Sequence, residues 1–299
     1  MRRVLQLTML WAVAGVAGAC SADKVISTED IPTAGVRFIN AVPDTGAAFG
    51  LDFRFVDLPE SNSHFRITFR NTPTTSAGVT GSTTIQYKNA RAGSRRFRIF
   101  LDDTLQSVAQ TVLKDSTANL EAGKNYTFLL WGRARSTGAD RMRLTVIEEN
   151  VADPGTNVAL RVINATGAPV DVRQYVATGT VPAGATWANV GAYSVSNYVT
   201  ATPAQIRFNV QPAGGGTALF SDGLALIGNP NGTTVGGCTV GVDCQGAPGT
   251  TVPGSAITAI IFPPSVAGTK APQGAAFANP LMSFMWDRRP ALTCAGQLC

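Results

Sequence analysis

Four arginines that flank one turn have the spacing that most suggests chemistry. Arg133 and Arg135 precede the segment 136–140, and Arg141 and Arg143 follow it. If that segment is a five-residue hairpin loop, Arg135 faces Arg141, and Arg133 faces Arg143 in the same way. Like charges directly opposite each other are unfavourable. Either the register shifts by one residue, or an anion lies between the side chains, because the planar fork of arginine suits phosphate and carboxylate. The four arginines are therefore a candidate anion-binding site, and a solvated hairpin face is the alternative. A weaker cluster of the same kind comprises Arg91, Arg95, Arg96 and Arg98.

The late cysteines predict disulfide bonds rather than a metal site. An even number of cysteines in an exported chain indicates disulfides, with three possible connectivities for four residues. We expect one bond between Cys238 and Cys244 and another between Cys294 and Cys299. A ring of this size contributes about 2 kcal/mol by the chain-entropy estimate. The gaps do not match the two-residue knuckles of zinc sites, so no metal site is predicted. A less regular metal site with oxygen ligands from Asp44 or Asp57 is the alternative.

Groups that could catalyse a reaction are scarce. The single histidine, His64, lies in a polar stretch and is interpreted as a loop residue. No Gly-x-Ser-x-Gly elbow and no phosphate-cradling Gly-x-x-x-x-Gly-Lys occurs in the chain. The acid pairs 102–103 and 148–149 are the candidates for glycoside hydrolysis, but neighbours in a strand point to opposite faces. We therefore predict no catalytic residues, no cofactor and no enzyme activity, with a glycan-active enzyme as the less favoured alternative.

The first twenty residues are typical of an export signal. Two arginines precede an apolar run, 4–16, that would form only about 20 Å of helix, too short to span a bilayer. Residues 1–19 are therefore predicted to be a signal peptide. Ala-Gly-Ala-Cys resembles a bacterial lipobox, although Ala17 stands where lipoboxes prefer Leu. Lipidation would make Cys20 the mature N-terminus, and ordinary cleavage after Ala19 is the alternative.

A lipidated Cys20 would place the protein on a membrane. Residues 20–34 would be the lipidated cysteine and a polar tether, since several acyl chains anchor a protein stably. Ser21, with no Asp at that position, resembles the outer-membrane sorting pattern. We expect an exported lipoprotein of the outer membrane or cell surface that contacts the membrane through its N-terminal lipid. The periplasmic side is left open.

Charge argues against nucleic acid as a partner. Without Arg2 and Arg3, 22 basic residues face 19 acidic ones, so the net charge is only about +3. Nucleic-acid binders normally concentrate a larger basic excess. Residues 35–150 hold 15 Lys and Arg and 11 Asp and Glu, whereas residues 156–290 hold six and four. The charge-poor part is either covered by a partner or kept soluble by hydroxyl groups.

The chain repeats itself over about a hundred residues, which predicts two copies of one domain. The matching segments are Val36–Ala41 with Leu160–Ala165, Asp52–Arg54 with Asp171–Arg173, Tyr87–Ser94 with Trp187–Ser194, and Tyr126–Phe128 with Ile257–Ala259.

Strand signals dominate both copies. Short runs of β-branched and aromatic residues alternate with Gly, Pro, Asn, Asp and Ser clusters, which predicts an all-β fold. We expect two tandem antiparallel β-sandwich (immunoglobulin-like) domains after the signal peptide, residues 35–151 and 156–290, and a C-terminal tail, 291–299. In the first copy strands are predicted at Tyr126–Trp131 and, as the sixth strand, at Val108–Leu113, and in the second copy one is predicted at Val158–Asn164. The second copy carries an extra Cys-bearing loop, 229–250, which is either a recognition element or a neutral insertion.

Three segments of the first copy resemble a known bacterial family. They are Val36–Asp44, Asp52–Arg54 and the Tyr-x-Asn-x-x-Ala-Gly-Ser segment at 87–94. The chain resembles exported lipoproteins catalogued as domain of unknown function 4397, from residue 35 to about 290 in two copies. In the second copy Thr166-Gly167-Ala168 replaces Val42-Pro43-Asp44, the Val-Pro-Asp step. The resemblance implies an extracytoplasmic β-sandwich lipoprotein, often in tandem, without an established activity or catalytic residues.

Together these features predict a non-catalytic, membrane-anchored cell-envelope lipoprotein that acts as a binding or interaction module. Its partner would be an envelope protein or an anionic glycan. The alternative is a structural subunit of a cell-surface assembly or filament, which the charge-poor second copy favours. The oligomeric state stays open.

Overall fold

The computed structural model describes most of the chain beyond residue 30. The described residues are 31–46, 50–58, 65–71, 85–230, 246–290, 293–294 and 297–298. Several predicted features lie outside them: the signal peptide, Cys20, most of the tether, His64, Cys238, Cys244 and Cys299. Cys294 lies in a short strand, but its side chain is not described. Nearly all of the regular structure is β, as predicted. No helix among the described residues is long and apolar enough to cross a membrane.

The first half of the described chain, 33–151, contains two four-stranded sheets. Its strands are β1 (Thr33–Ala41), β2 (Leu51–Phe55), β3 (Phe65–Ile67), β4 (Lys88–Arg91), β5 (Gly93–Leu101), β6 (Val112–Leu120), β7 (Asn125–Trp131) and β8 (Arg143–Glu149). A single helical turn, α1 (Gln106–Ala109), precedes β6. One sheet has the order β4-β1-β7-β8 and the other β3-β2-β5-β6.

The apolar faces of these two sheets share one core. Val36 and Phe128 come from the first sheet, and Phe53, Phe97 and Ile99 come from the second. The rings of Phe97 and Phe128 meet edge to face with centroids 5.1 Å apart, a favoured aromatic geometry. Burial of alternate residues in each strand is therefore what holds the two sheets together.

The second half, 157–290, has the same arrangement. Its strands are β9 (Val158–Asn164), β10 (Val170–Val176), β11 (Trp187–Val190), β12 (Ser194–Val195), β13 (Val199–Ala201), β14 (Ile206–Pro212), β15 (Phe220–Leu224), β16 (Ala256–Phe262) and β17 (Leu281–Arg288). The sheet orders are β11-β10-β14-β15 and β12-β9-β16-β17, with β13 also paired to β9. A second core lies between these sheets, and a separate two-stranded ribbon, β18 (Thr293–Cys294) and β19 (Gln297–Leu298), follows.

A third apolar core joins the two halves. Leu129 and Trp131 on β7 pack with Ile163 on β9 and with Ile260 and Phe262 on β16. The sheet β4-β1-β7-β8 therefore packs its second face against the sheet that contains β9 and β16. The sequences of β7 and β16 are almost continuously apolar because both faces of these strands are buried. The described residues from Thr33 onward form one compact unit.

Each half contains one parallel strand pair, which corrects the prediction of purely antiparallel sheets. Strand β1 runs parallel to β7, and β9 runs parallel to β16. The other pairs of named strands among the described residues are antiparallel. The chain leaves β1, passes through the opposite sheet and returns about ninety residues later, so it has the long crossover that a parallel pair requires.

The repeated asparagines close equivalent turns after the first strand of each half. Asn40 accepts the N–H two residues further on through Oδ1 (2.9 Å) and donates to the carbonyl of Ile67 (2.8 Å). Asn164 accepts its own i+2 N–H (3.0 Å) and donates to the carbonyl of Val190 (3.1 Å). Both side chains are buried, so these bonds satisfy backbone groups that water does not reach.

The sixth strand begins four residues later than predicted and ends seven residues later. Val108, the first residue of the predicted strand, lies in α1, and β6 runs from Val112 to Leu120. Strand β6 lies at the edge of its sheet, and many of its residues are polar and exposed. Its sequence therefore lacks the apolar run on which the prediction relied.

Candidate functional site

The repeated arginines, Arg37 and Arg161, are buried between the two halves. Arg37 Nη2 contacts Glu149 Oε1 at 3.1 Å and also pairs with Asp287. Arg161 Nη2 contacts both oxygens of Glu149 at 2.7 Å and Asp287 Oδ1 at 3.5 Å. The four side chains are between 0 % and 5 % exposed. Two positive and two negative charges thus form a neutral buried quartet.

Matching threonines complete the hydrogen bonding of this quartet. Arg37 Nε donates to Thr127 Oγ1, and Arg161 Nε donates to Thr258 Oγ1, both at 2.7 Å. Each threonine hydroxyl then donates to an acid of the quartet. Burial lowers the pKa of Arg37, but the nearby carboxylate of Asp287 and other charges outweigh it, so the net shift is upward. Both arginines are therefore charged. They hold the two halves together and do not form an exposed binding site.

The aromatic partners of the quartet correct one part of the repeat alignment. The Arg37 guanidinium lies 4.5 Å from the ring centroid of Tyr87, and that of Arg161 lies 4.7 Å from Tyr198. Tyr198, and not Trp187, therefore matches Tyr87 in space. Trp187 lies instead on β11, which pairs with β10. Burial and the adjacent Asp287 raise the pKa of Tyr198 well above its usual range, so it is a neutral donor to that carboxylate (2.8 Å).

The arginine hairpin, residues 132–143, has a different register from the predicted one. Arg133 lies opposite Arg141, and Arg143 lies opposite Trp131. Arg133 Nε pairs with Asp140 Oδ2 at 3.1 Å, which offsets one like-charge contact. Arg143 lies 5.3 Å from the ring centroid of Tyr193. The repulsion between the arginines is thus partly offset by Asp140 and by the ring of Tyr193.

Two of the four arginines stay available at the hairpin surface. Arg135 and Arg141 are exposed, and neither side chain contacts an acid anywhere in the described part of the chain. The backbone that carries Arg135 is fixed, because Asp44 accepts the N–H groups of Ala134 and Arg135 at 2.9 Å each. Asp44 is buried and satisfied, so it anchors the hairpin and does not offer its oxygens to a cation.

A cleft of about 520 Å³ lies beside the hairpin, at the junction of the two halves. Arg133 and Asp140 line one side, and Tyr193 and Ser265 line the other. Pro43, Pro263 and Pro264 supply apolar walls. The hydroxyl of Ser265 is buried and has no hydrogen-bond partner among the described residues. Sequence reasoning missed Tyr193 and Ser265, because Tyr193 is an unmatched position of the repeated segment 187–194 and Ser265 lies in no motif.

Contacts from the first half hold the far wall of this cleft. Arg70 donates to the carbonyls of Pro263 and Asn279 at 2.7 Å and of Ala276 at 3.1 Å. Burial lowers the pKa of Arg70 to about 10. The N–H of Val266 also donates to the carbonyl of Pro43 at 2.9 Å. The connection between β16 and β17 is therefore fixed against the first half.

The second arginine cluster is paired internally. Arg96 and Arg98 both contact Asp115 at 2.8 Å, and Arg95 contacts Asp57 at 3.1 Å. Asp57 also accepts the N–H of Arg96, so its carboxylate, like that of Asp44, already binds a backbone N–H. This surface matches a solvated, self-neutralised sheet face.

The candidate acid pairs do not converge. Glu149 lies in the buried quartet, whereas Glu148 pairs with Lys124 at the surface (2.7 Å). Asp102 pairs with Arg66 at 3.0 Å, and Asp103 pairs with Lys270. Within the described residues, no group of three or more His, Cys, Asp or Glu side chains could hold a metal ion.

The chain is thus a nearly all-β protein with an arginine hairpin beside a cleft between its two packed halves. Residues 34–175 match the model of a family described as Domain of unknown function (DUF4397). The match covers the first half and reaches β10, and it supports the assignment of the chain to that family. None of the curated proteins matches the chain.

Proposed function

We propose that this protein is a non-catalytic, membrane-anchored lipoprotein of the bacterial cell envelope that binds an anionic glycan through its arginine hairpin. In this proposal the two halves are tandem immunoglobulin-like β-sandwich domains, and acyl chains on Cys20 attach them to the outer membrane. The predicted disulfides, Cys238–Cys244 and Cys294–Cys299, hold local loops. The lipobox-like sequence, the family match and the repeated strand order support the proposal.

The observation that carries this function is the availability of Arg135 and Arg141 on a hairpin whose backbone Asp44 holds in place. Guanidinium groups bind carboxylate, sulfate and phosphate through two parallel hydrogen bonds. A fixed backbone reduces the ordering cost of binding. Several weak contacts of this kind would add along a polymer that carries many charges.

The test is the binding of the tether-free protein to an array of acidic and neutral glycans. We expect binding to acidic glycans that weakens with added salt, because exposed charges are screened. The variant Arg135→Gln/Arg141→Gln should lose at least about tenfold in affinity. The control Arg96→Gln/Arg98→Gln removes the same charge from the self-neutralised face and should bind normally. Equal loss in both variants, or no acidic glycan bound, would contradict the proposal.

A further inference from the structure

We propose that the cleft between the two halves is a pocket for a single sugar residue that carries one carboxylate, such as a uronic acid. This inference rests on the proposed function, because the pocket adjoins the arginine hairpin and would receive one residue of the glycan that the hairpin binds. It goes beyond that function in naming a second contact and the chemistry of the unit that occupies it.

The shape of the cleft suits a small, compact ligand. Its volume of about 520 Å³ lies within the range of about 300–1,000 Å³ that is typical of small-molecule sites. Pro43, Pro263 and Pro264 present rigid apolar surfaces on which the C–H face of a sugar ring can rest. Polar groups on the remaining sides can meet its hydroxyls.

The charges around the cleft favour a monoanion. Arg133 lines the cleft, and Arg143 lies against the ring of Tyr193, which also lines it. Asp140, paired with Arg133, contributes one negative charge. Arg133 and Asp140 neutralise each other, and Arg143 and the exposed Arg141 next to them add positive charge, so the surroundings of the cleft attract an anion. A carboxylate meets less repulsion from Asp140 than a phosphate monoester, which carries about −1.5 to −2 charges at neutral pH.

One polar group in the cleft lacks a partner within the described residues. The hydroxyl of Ser265 is shielded from solvent and makes no hydrogen bond there. Native proteins rarely leave such a group unpaired, so each instance suggests a ligand or an ordered water. The backbone of Ser265 is fixed by its N–H, which donates to the carbonyl of Phe277 at 2.8 Å. Because water does not reach the hydroxyl in this structure, a rotation of the Ser265 side chain would bring it to a sugar oxygen in the cleft.

Tyr193 adds backbone strain at the same place. Its φ of 52° lies in the left-handed region, which is unusual for a bulky side chain. Strained residues of this kind concentrate at ligand sites, where the surrounding structure holds them in place. Trp131 contacts the Tyr193 ring edge to face with centroids 5.9 Å apart, and Arg143 covers the ring from another side. These contacts hold the tyrosine in the cleft wall.

The test is calorimetric titration of the tether-free protein with free galacturonate, galactose and inorganic phosphate. We expect binding of galacturonate and at least about tenfold weaker binding of galactose and phosphate. Arg133→Gln should weaken galacturonate about tenfold. Ala267→Trp, which adds bulk at an exposed position on the cleft rim, should abolish its binding without changing the melting temperature. Arg96→Gln/Arg98→Gln, which removes positive charge from the self-neutralised face, should leave it unchanged.

The outcomes separate this inference from the proposed function. If acidic polymers bind through Arg135 and Arg141 but galacturonate does not bind, the pocket is wrong and the hairpin function stands. If galactose or phosphate binds as tightly as galacturonate, the charge argument is wrong and the inference fails. If galacturonate binds equally well to the Ala267→Trp variant, the cleft is not its site. Failure of both the polymers and galacturonate would overturn both proposals.

Discussion

At the scale of single residues, the buried quartet shows why a repeated motif need not mark a ligand site. Arg37 and Arg161 are the charged residues of the two repeated segments, and both are fully engaged by Glu149 and Asp287. A buried ion pair gains little net stability over apolar packing, but its geometry fixes how two surfaces meet. The quartet therefore specifies the docking of the two halves.

Removing one arginine should be far worse than neutralising the whole quartet. Arg161→Met leaves a net negative charge buried and should lower the free energy of unfolding by about 3–5 kcal/mol. The quadruple variant Arg37→Met/Arg161→Met/Glu149→Gln/Asp287→Asn keeps acceptors for the threonine hydroxyls and leaves no charge unpaired. It should be less destabilised than the single variant in urea unfolding. A quadruple variant that is less stable than Arg161→Met would contradict this interpretation.

A second prediction concerns the acid side of the pH scale. Hydrogen bonds from Arg96 and Arg98 lower the pKa of Asp115 from 3.8 to about 2. Folding therefore favours the ionised carboxylate. The resulting stability is present above about pH 4 and is lost as the pH falls through about 2. An NMR titration of the Asp115 carboxyl carbon should show this midpoint, and Arg98→Gln should raise it. A midpoint near 3.8 in both proteins would refute the pairing.

The sequence reveals some residue roles and hides others. The repeated Arg37 and Arg161 are visible as a pattern, but Asp287 lies 250 residues from Arg37, so no local spacing indicates their pairing. Tyr193 and Ser265 are equally hidden, because the cleft exists only when the two halves dock. The candidate arginines of the hairpin were identified because their signal, a charge pattern around a turn, is local.

At the scale of elements, one carboxylate in the turn after β1 holds the arginine hairpin. Asp44 belongs to the Val-Pro-Asp step that Thr166-Gly167-Ala168 replaces in the second half. There the connection between β16 and β17 is longer and is held by Arg70 instead. The loss of the aspartate thus accompanies a different loop at the equivalent place.

Removing the Asp44 carboxylate should loosen the hairpin without unfolding the protein. Asp44→Ala leaves the N–H groups of Ala134 and Arg135 without their acceptor, at a cost of about 1–3 kcal/mol. Hydrogen exchange at these two amides should accelerate, while that of the β7 amides should not. Asp44→Asn, which keeps one carbonyl acceptor, should give an intermediate rate. Unchanged exchange in Asp44→Ala would show that the loop is held by other contacts.

Most strands were predictable because their core faces alternate or are continuously apolar. Val158–Asn164 was predicted at its observed bounds, and Tyr126–Trp131 within one residue. The edge strand β6 was misplaced because its exposed side chains are polar. The parallel pairing of β1 with β7 was not predicted either, since pairing direction depends on the route of the whole chain and leaves no local signal.

At the scale of the whole molecule, the two halves are packed together over a shared core and are not joined only by their linker. The third core, the quartet and the three hydrogen bonds of Arg70 all cross this junction. The linker itself is tied down, because Asp153 contacts Arg288 at 2.6 Å. The junction resembles a permanent interface, with apolar residues around a satisfied polar centre.

The halves should therefore stay together after the linker is cut. A specific protease site placed between Ala152 and Thr156 in the full chain allows cleavage after folding. The two fragments should co-elute in size-exclusion chromatography at low and high salt, since the third core does not depend on ionic strength. The same cleavage in Arg161→Met should yield partly separated fragments. Separate elution of the unmutated fragments would contradict the docked arrangement.

The most direct test of how this molecule acts is hydrogen exchange mapped with and without an acidic oligosaccharide. Protection should appear in the hairpin, 132–143, and in the cleft wall, 265–267, and a neutral oligosaccharide of equal length should give none. Protection on the self-neutralised face of β5 and β6, or no protection at any position, would show that the junction of the two halves is not where this protein binds its partner.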